Sequence, residues 1–234
     1  MKRSFYYPVK KVPAHWLDKV AFYHESIPPD SVWNLFLPEF AQPTIRKIKL
    51  YTKNLDDDAS LEKILWCETD DCSTVYCFDE RNNDWFIAGI TGPDFLGNEP
   101  EYINNRPFII LPVSIATSDH HGEHLQFFRL IDGHLKQVFD LWRQEVLFPE
   151  GPGYTSKLYS TFRITNDTTI EVVYKFYYYG EDQKRGNQKP TIRKTKHSKF
   201  TWDAKKQEFL PVTESGSTKD LQDFIRFYKN EMPD

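Results

Sequence analysis

The chain of 234 residues has little of what builds redox, phosphate-binding or membrane-spanning elements: three cysteines, two methionines and ten glycines. So few glycines leave little room for phosphate-cradling loops, and the sequence contains no nucleotide-binding glycine loop and no nucleophile elbow. No apolar run approaches the roughly 18 residues of a spanning helix, and none resembles a signal-peptide core. We therefore expect a soluble chain without a membrane span, cytoplasmic by default unless a leader has been removed.

The chain also lacks a strong excess of either charge. Its formal net charge is -4 and its pI is about 6.0. Proteins whose main role is to bind a polyanion are usually basic. Nucleic acid is therefore disfavoured as a partner, and a site for it would have to be a local patch.

The three cysteines, Cys67, Cys72 and Cys77, lie within eleven residues of one another. A hairpin centred on Cys72 would place Cys67 opposite Cys77, where a disulfide would often be strained. A zinc site would lack a fourth ligand and a nearby histidine. These patterns favour reduced, half-buried cysteines on strands.

What the chain has in quantity is aromatic residues, which make up 16% of it. Broad rings suit sheet surfaces, where they pack across neighbouring strands. Alternating segments separated by turn signals such as Asp132-Gly133 indicate successive hairpins. Strands are predicted at Ile45–Thr52, Glu62–Glu68, Ser73–Asp79, Asp84–Ile90, Phe108–Ala116, Leu125–Leu130, His134–Phe139, Leu158–Ile164, Thr169–Tyr178, Thr191–Trp202 and Gln207–Pro211.

These segments predict a mainly β fold that is α+β at its margins. Antiparallel meander sheets would be flanked by short N-terminal helices, at His15–His24 and ending at Leu37, and by a C-terminal helix at Asp220–Asn230. We expect one β-rich domain over residues 1–234, with a sub-boundary at Glu150-Gly151-Pro152-Gly153. The stretch from Thr91 to Arg106 is predicted as a long loop.

The segment from Asn54 to Glu62 is the most informative motif. Asn54, Asp56 and Asp58 alternate, and Glu62 follows four residues later at the start of a strand. Hard cations such as Ca2+ take six to eight oxygen ligands, and compact acidic loops supply them. Two interpretations stay open: a structural calcium site, or a solvated acidic turn that has lost its metal. The second is favoured because Ala59 stands where a glycine would allow the sharp turn.

The stretch Asn54–Leu65 resembles the calcium-loop-plus-strand unit of integrin-like (FG-GAP or VCBS type) β-propeller repeats. The resemblance implies side-chain ligands at Asn54, Asp56 and Asp58, a carbonyl ligand at Ser60 and a closing carboxylate at Glu62. Leu125–Phe139 and Lys199–Leu210 look like further strands of such blades. Because the motif occurs once, the resemblance implies a partial or degenerate propeller-like sheet.

A second cluster of potential ligands runs from Ser118 to His124. Asp119, His120, His121 and His124 could bind Zn2+ or activate water. The alternative, a polar hairpin tip between two strands, is favoured because adjacent loop residues diverge unless the turn folds them together.

A basic and aromatic segment, Tyr177–Lys199, could form an interaction surface for an acidic partner protein. The alternative, a solvated hairpin whose charges protect the strands from edge-to-edge pairing, is favoured because the whole chain is acidic. With no catalytic constellation evident, the first functional hypothesis is a non-enzymatic protein-binding module, for example a bacterial immunity or inhibitor protein. The alternatives are a metal-dependent hydrolase using the Asp119–His124 cluster and a structural domain of a larger surface assembly. No cofactor is expected, apart from calcium in the acidic loop.

Overall fold

The computed structural model describes residues 10–12, 45–56, 58–69, 73–95, 100–101, 107–116, 120–147, 156–179, 189–190 and 192–212. Within these ranges the chain forms strands and connecting segments, without helix. The twelve strands are β1 (Lys10–Val12), β2 (Ile45–Lys53), β3 (Glu62–Thr69), β4 (Ser73–Arg81), β5 (Asp84–Phe95), β6 (Ile109–Ala116), β7 (His120–Ile131), β8 (His134–Leu147), β9 (Ser156–Asn166), β10 (Thr169–Tyr178), β11 (Ile192–Asp203) and β12 (Glu208–Pro211).

The strands form two antiparallel sheets. A five-stranded sheet has the order β1-β5-β4-β3-β2, and a seven-stranded sheet has the order β12-β11-β10-β9-β8-β7-β6. Most neighbours in space are neighbours in sequence, as expected for successive hairpins. The prediction of a mainly β fold built from antiparallel meanders is confirmed. The three predicted helices lie outside the described residues, and no described helix is long and apolar enough to cross a membrane.

The chain divides into two compact units. The first comprises Met1–Ile115 with Glu123–Asp140, and the second comprises Ala116–Gly122 with Leu141–Asp234. Both β7 and β8 contribute residues to each unit. The predicted sub-boundary at residues 150–153 lies outside the described residues and stays a prediction.

The first unit is held together by a hydrophobic core that the five-stranded sheet shares with β6, β7 and the start of β8. On β3 the alternating residues Ile64 and Trp66 enter this core, as period-two side-chain direction requires. Gly89 on β5 lies so close to β8 that a Cβ added there would be 2.4 Å from the Cβ of Leu135. The buried members of the core are Leu55, Ile64, Trp66, Val75, Cys77, Ala88, Ile109, Leu111, Val113, Phe128, Leu130 and Leu135.

The hairpin turns follow the predicted signals. Asn82 and Asn83 between β4 and β5, and Asp132 and Gly133 between β7 and β8, all have positive φ angles, from 51° to 70°. Two consecutive positive φ angles define the turn whose twist matches antiparallel strands, and asparagine, aspartate and glycine tolerate it best.

Three strand ends differ from the predictions by five residues or more, and β1 was not predicted. β5 continues to Phe95, so the predicted loop from Thr91 begins as strand. β7 starts at His120, and β8 extends to Leu147. The residues added to β5 and β7 are mostly polar or typical of loops, and a strand held by ladder hydrogen bonds does not need an apolar face along its whole length.

The cysteine register also differs from the expected one. Cys67 lies opposite Thr74, and Cys77 lies opposite Ile64. Because facing residues share a side of the sheet, Cys67 and Cys77 point to opposite faces and cannot form a disulfide with each other. Both are free thiols, and they are fully rather than half buried. Burial raises the pKa of each thiol, which keeps it protonated and unreactive.

Candidate functional sites

The acidic loop, residues 54–62, joins β2 to β3 in the first unit. Short-range hydrogen bonds shape it: the Asp58 amide donates to Asp56 Oδ1 at 2.9 Å, and the Ser60 amide donates to Asp58 Oδ1 at 2.7 Å. Aspartate favours turns for this reason, since its side chain accepts from the backbone two residues ahead. Asn54 Nδ2 donates to the carbonyl oxygens of Asp58 at 2.6 Å and Ser60 at 3.3 Å. The Asn54 side-chain amide thus connects the start of the loop to the backbone on either side of Ala59.

Leu55 anchors the loop to the core. Its side chain is completely buried, and its carbonyl oxygen accepts a hydrogen bond of 3.0 Å from the Leu130 amide on β7. Its own amide donates to Oε2 of Glu62. The position of the loop is therefore fixed by the fold of the first unit rather than by its local sequence alone.

Glu62 is the unusual member of the site. It starts β3 on the same side as Ile64 and Trp66, and it is 0% exposed. Its second oxygen, Oε1, is buried and accepts no hydrogen bond. Burial, followed by the nearby charges of Asp56 and Asp79, raises the pKa of Glu62 to about 7 despite the bond from Leu55. A buried carboxylate oxygen without a donor is costly unless something outside the described groups compensates it.

Three carboxylates converge at this point. One oxygen from each of Asp56, Asp58 and Glu62 lies within 4.8 Å of the others. Burial raises the pKa of Asp56, whereas hydrogen bonds from Ser60 lower the pKa of Asp58. The structure thus brings together three of the five residues that the sequence singled out as calcium ligands, and it places Asn54 and Ser60 in the hydrogen-bond frame of the loop.

Asp79 and Arg81 are not among the residues that the sequence patterns singled out. Asp79 on β4 is 3% exposed, and its Oδ2 lies 2.5 Å from Arg81 Nε. The Arg81 guanidinium also donates to the Gly133 carbonyl at 2.8 Å. The only sequence signal for this pair is that both are charged residues at the end of a strand, which is common on surfaces.

The structure describes only part of the histidine cluster. His120, His121 and His124 lie on β7 rather than at a hairpin tip, because β7 begins at His120. Alternation along the strand sends His121 and His124 to opposite faces. His124 Nδ1 lies 3.0 Å from Asp140 Oδ1, and His121 is exposed. Asp119 and the side chain of His120 lie outside the described residues. Among the described side chains, only the acidic loop brings three potential metal ligands together.

The second unit displays a basic face, formed by residues that share one side of β9, β10 and β11. None of them is buried, and five of the twelve are lysine or arginine against one acidic residue, Glu171. Near one end of this face the Tyr159 and Tyr177 rings meet edge to face, with centroids 6.1 Å apart. Strand pairing places these residues side by side: Lys157, Tyr159, Thr161, Arg163, Glu171, Val173, Lys175, Tyr177, Arg193, Thr195, His197 and Lys199.

The predicted hairpin surface, Tyr177–Lys199, supplies part of this face. Arg193 and Lys199 belong to it, whereas Lys194 and Lys196 lie on the other side of β11. The sequence reasoning missed Lys157, Arg163 and Lys175. The available signal was their alternation with apolar residues such as Leu158 and Phe176, which are buried.

Comparison of the chain with protein-family models, curated proteins and solved structures finds no match. The resemblance of Asn54–Leu65 to propeller repeats therefore stays a prediction.

Proposed function

We propose that this chain is a non-enzymatic protein-binding module that uses the basic face to hold an acidic partner protein. The observation that carries the proposal is the concentration of positive charge on one exposed sheet face of a chain whose net charge is -4. A bacterial immunity or inhibitor protein, which neutralises a partner by covering its surface, is the concrete form we favour.

The composition of the basic face suits binding to protein. Tyrosine and arginine are enriched at interface hot spots, and tyrosine supplies a large contact area with few rotatable bonds. Buried residues on the reverse side, among them Leu158, Val172 and Phe176, fix the strands that present it. Complementary charge would mainly speed association and select the partner.

A hydrolase is less well supported. Its candidate residues His121 and His124 diverge on β7, and no described group of three potential ligands contains a histidine. A structural role in a larger assembly would use the same basic face, and it would differ by forming a permanent complex.

The test is capture of partners with the double variant Lys157→Glu/Lys175→Glu. Proteins retained by the wild type are identified by mass spectrometry, and the purified partner is then titrated against each form. We expect about tenfold weaker binding or more, and a reduced salt dependence. The control, Lys205→Glu/Lys206→Glu, makes the same charge change at the exposed turn before β12. Equal affinities of the wild type and both variants would refute the proposal.

A second function is favoured by one specific observation, the buried and unpartnered Oε1 of Glu62. We propose that Asp56, Asp58 and Glu62 hold a structural calcium ion, which would offset most of the negative charge of the three converging carboxylates and stabilise the loop. Carboxylate oxygens are the ligands that this hard cation prefers, so the residues present fit it.

Thermal unfolding with calcium and with EDTA tests the metal. An ion at a hundred times its dissociation constant stabilises the fold by about 2.7 kcal/mol. We expect calcium to raise the melting temperature of the wild type and of Glu80→Gln, which changes a neighbouring carboxylate outside the cluster. Asp58→Asn and Glu62→Gln should lose the response. A wild-type melting temperature that neither calcium nor EDTA changes would exclude an intact site.

A further inference from the structure

β11 has one side that is only partly covered. It pairs with β10 from Ile192 to Thr201, whereas β12 covers only Phe200–Asp203. Within the described ranges, no strand pairs with the other side of β11 between Ile192 and Ser198. We call this side of Ile192–Ser198 the open edge. It is long enough for a strand of five or six residues, which is a common strand length.

The hydrogen bonds at the end of β11 show which backbone groups face the open edge. The Trp202 amide donates to Thr168 on the β10 side at 2.8 Å, and the Lys199 carbonyl accepts from Val212 on the β12 side at 2.8 Å. Successive residues of a strand direct their N–H and C=O groups to opposite sides. Arg193, Thr195 and His197 therefore direct theirs outward, and all three residues are exposed.

The side chains of the open edge are all of one sign. From Ile192 to Ser198 it carries three lysine or arginine residues and one histidine, with Lys199 directly after it and no acidic residue among them. Lysine on an edge strand opposes pairing with a second copy of the same strand, since like charges would lie opposite each other. The same charges favour an incoming strand rich in aspartate or glutamate.

We propose that the open edge of β11 accepts an extended acidic segment of the partner protein as an added strand. The inference rests on the proposed protein-binding function and specifies how the partner is held. Backbone hydrogen bonds to Arg193, Thr195 and His197 supply affinity, and the flanking cationic side chains supply selectivity, which is the division of roles in known strand-addition complexes.

The probe is a synthetic peptide of about eight residues, alternating glutamate and threonine, with blocked ends. A second peptide has the same sequence with N-methyl groups on alternate residues, which removes strand hydrogen bonds but keeps the charge. Titration into the full chain should show that the unmodified peptide binds and that the methylated one binds about tenfold more weakly or worse.

Thr195→Pro tests the edge from the protein side. Proline removes the outward N–H of residue 195 and leaves the hydrogen bonds to β10 in place, which is where strands tolerate it. We expect about a tenfold loss of affinity for the unmodified peptide. Thr195→Val keeps the N–H and should bind like the wild type. Circular dichroism checks that both variants fold.

A charge variant keeps the test decisive if Thr195→Pro unfolds. Arg193→Glu/Lys199→Glu should weaken peptide binding about tenfold, whereas Lys205→Glu/Lys206→Glu should not.

Equal binding of the methylated and unmodified peptides would overturn strand addition while leaving the basic face as a binding surface. No binding of the unmodified peptide at about 1 mM would overturn the inference, whereas the proposed function is judged by the captured partner. A concentration-dependent dimer that Thr195→Pro abolishes would also overturn it, since a second copy would then occupy the edge.

Discussion

The acidic loop and the basic face are both built from antiparallel strands and tight turns, yet their charged side chains lie in opposite environments. Residues 54–84 include ten acidic and two basic residues, and the structure buries two of those acids, Glu62 and Asp79, at the end of a hydrophobic core. The basic face keeps every charged side chain at least partly exposed. Charged side chains are thus part of the interior in the first unit, whereas on the basic face they are in contact with water.

The difference follows from which side of the sheet a residue occupies. Glu62 lies on the core side of β3, so its charge has to be compensated by hydrogen bonds, a proton or a cation. Arg163 and Lys175 lie on the outer side of β9 and β10, where water screens them and they cost the fold little. Substitutions in the first unit should therefore change stability, and those on the basic face should change binding.

The largest expected effect is that of Gly89→Ala in the first unit. The new Cβ would lie 2.4 Å from the Cβ of Leu135, and neither backbone can move without disturbing the core. We expect a loss of about 3 kcal/mol or more in the free energy of unfolding. Urea titration followed by tryptophan fluorescence measures it. Thr161→Val on the basic face is the control and should change stability by less than about 0.5 kcal/mol.

Next in size is Arg81→Met, which removes the partner of a buried carboxylate. Asp79 would be left without its 2.5 Å ion pair, and Gly133 would lose a hydrogen bond. Breaking one side of such a pair leaves an uncompensated buried charge, and we expect a loss of about 2–4 kcal/mol. If Arg81→Met is as stable as the wild type in urea titration, the fold does not need Arg81 to compensate the buried carboxylate of Asp79.

The third prediction concerns pH and Glu62→Gln. With its pKa raised from the ordinary 4.5 to about 7, Glu62 binds a proton more tightly in the folded than in the unfolded state. The stability it contributes is therefore present at low pH and lost as the pH rises from 4.5 to 7. In EDTA, Glu62→Gln should remove this dependence and be more stable at pH 8 by roughly 2–3 kcal/mol.

The control for that pH series is Glu171→Gln on the basic face, which should leave the profile unchanged. The groups near Glu62 that share its environment are Asp56 and Asp79, with Lys53 opposite it on β2. If wild type and Glu62→Gln unfold with the same pH profile, the buried carboxyl is not the group that titrates.

The smallest expected effect is that of Glu171→Gln on stability. Arg163 Nη2 lies 3.3 Å from Glu171 Oε2, and the two side chains are 74% and 42% exposed. Exposed ion pairs contribute little because water and salt screen them, so we expect a change below about 0.5 kcal/mol. If Glu171→Gln lost as much stability as Arg81→Met, charged side chains would matter for stability on the basic face as much as in the first unit.

The turns of this protein were predictable from sequence, whereas some strand ends and the burial of Glu62 were not. Asp132-Gly133 predicts its turn because the required positive φ angles are a property of the two residues themselves. The extension of β5 to Phe95 and the start of β7 at His120 were not predictable, because neighbouring strands supply the hydrogen bonds that keep polar segments extended. For the acidic loop, the sequence identified Asp56, Asp58 and Glu62 but gave no indication that Glu62 is buried.

The sequence by itself determined the strand-rich architecture, its main turns, and the separation of acidic residues from basic ones along the chain, since these follow from local side-chain preferences and order. Only the tertiary structure decided that Cys67 and Cys77 face opposite ways, that one oxygen of Glu62 lies in the interior without a donor, and that lysines and arginines from three strands share a surface. Each of these depends on strand register, and a shift of one residue in register would send every side chain to the other face.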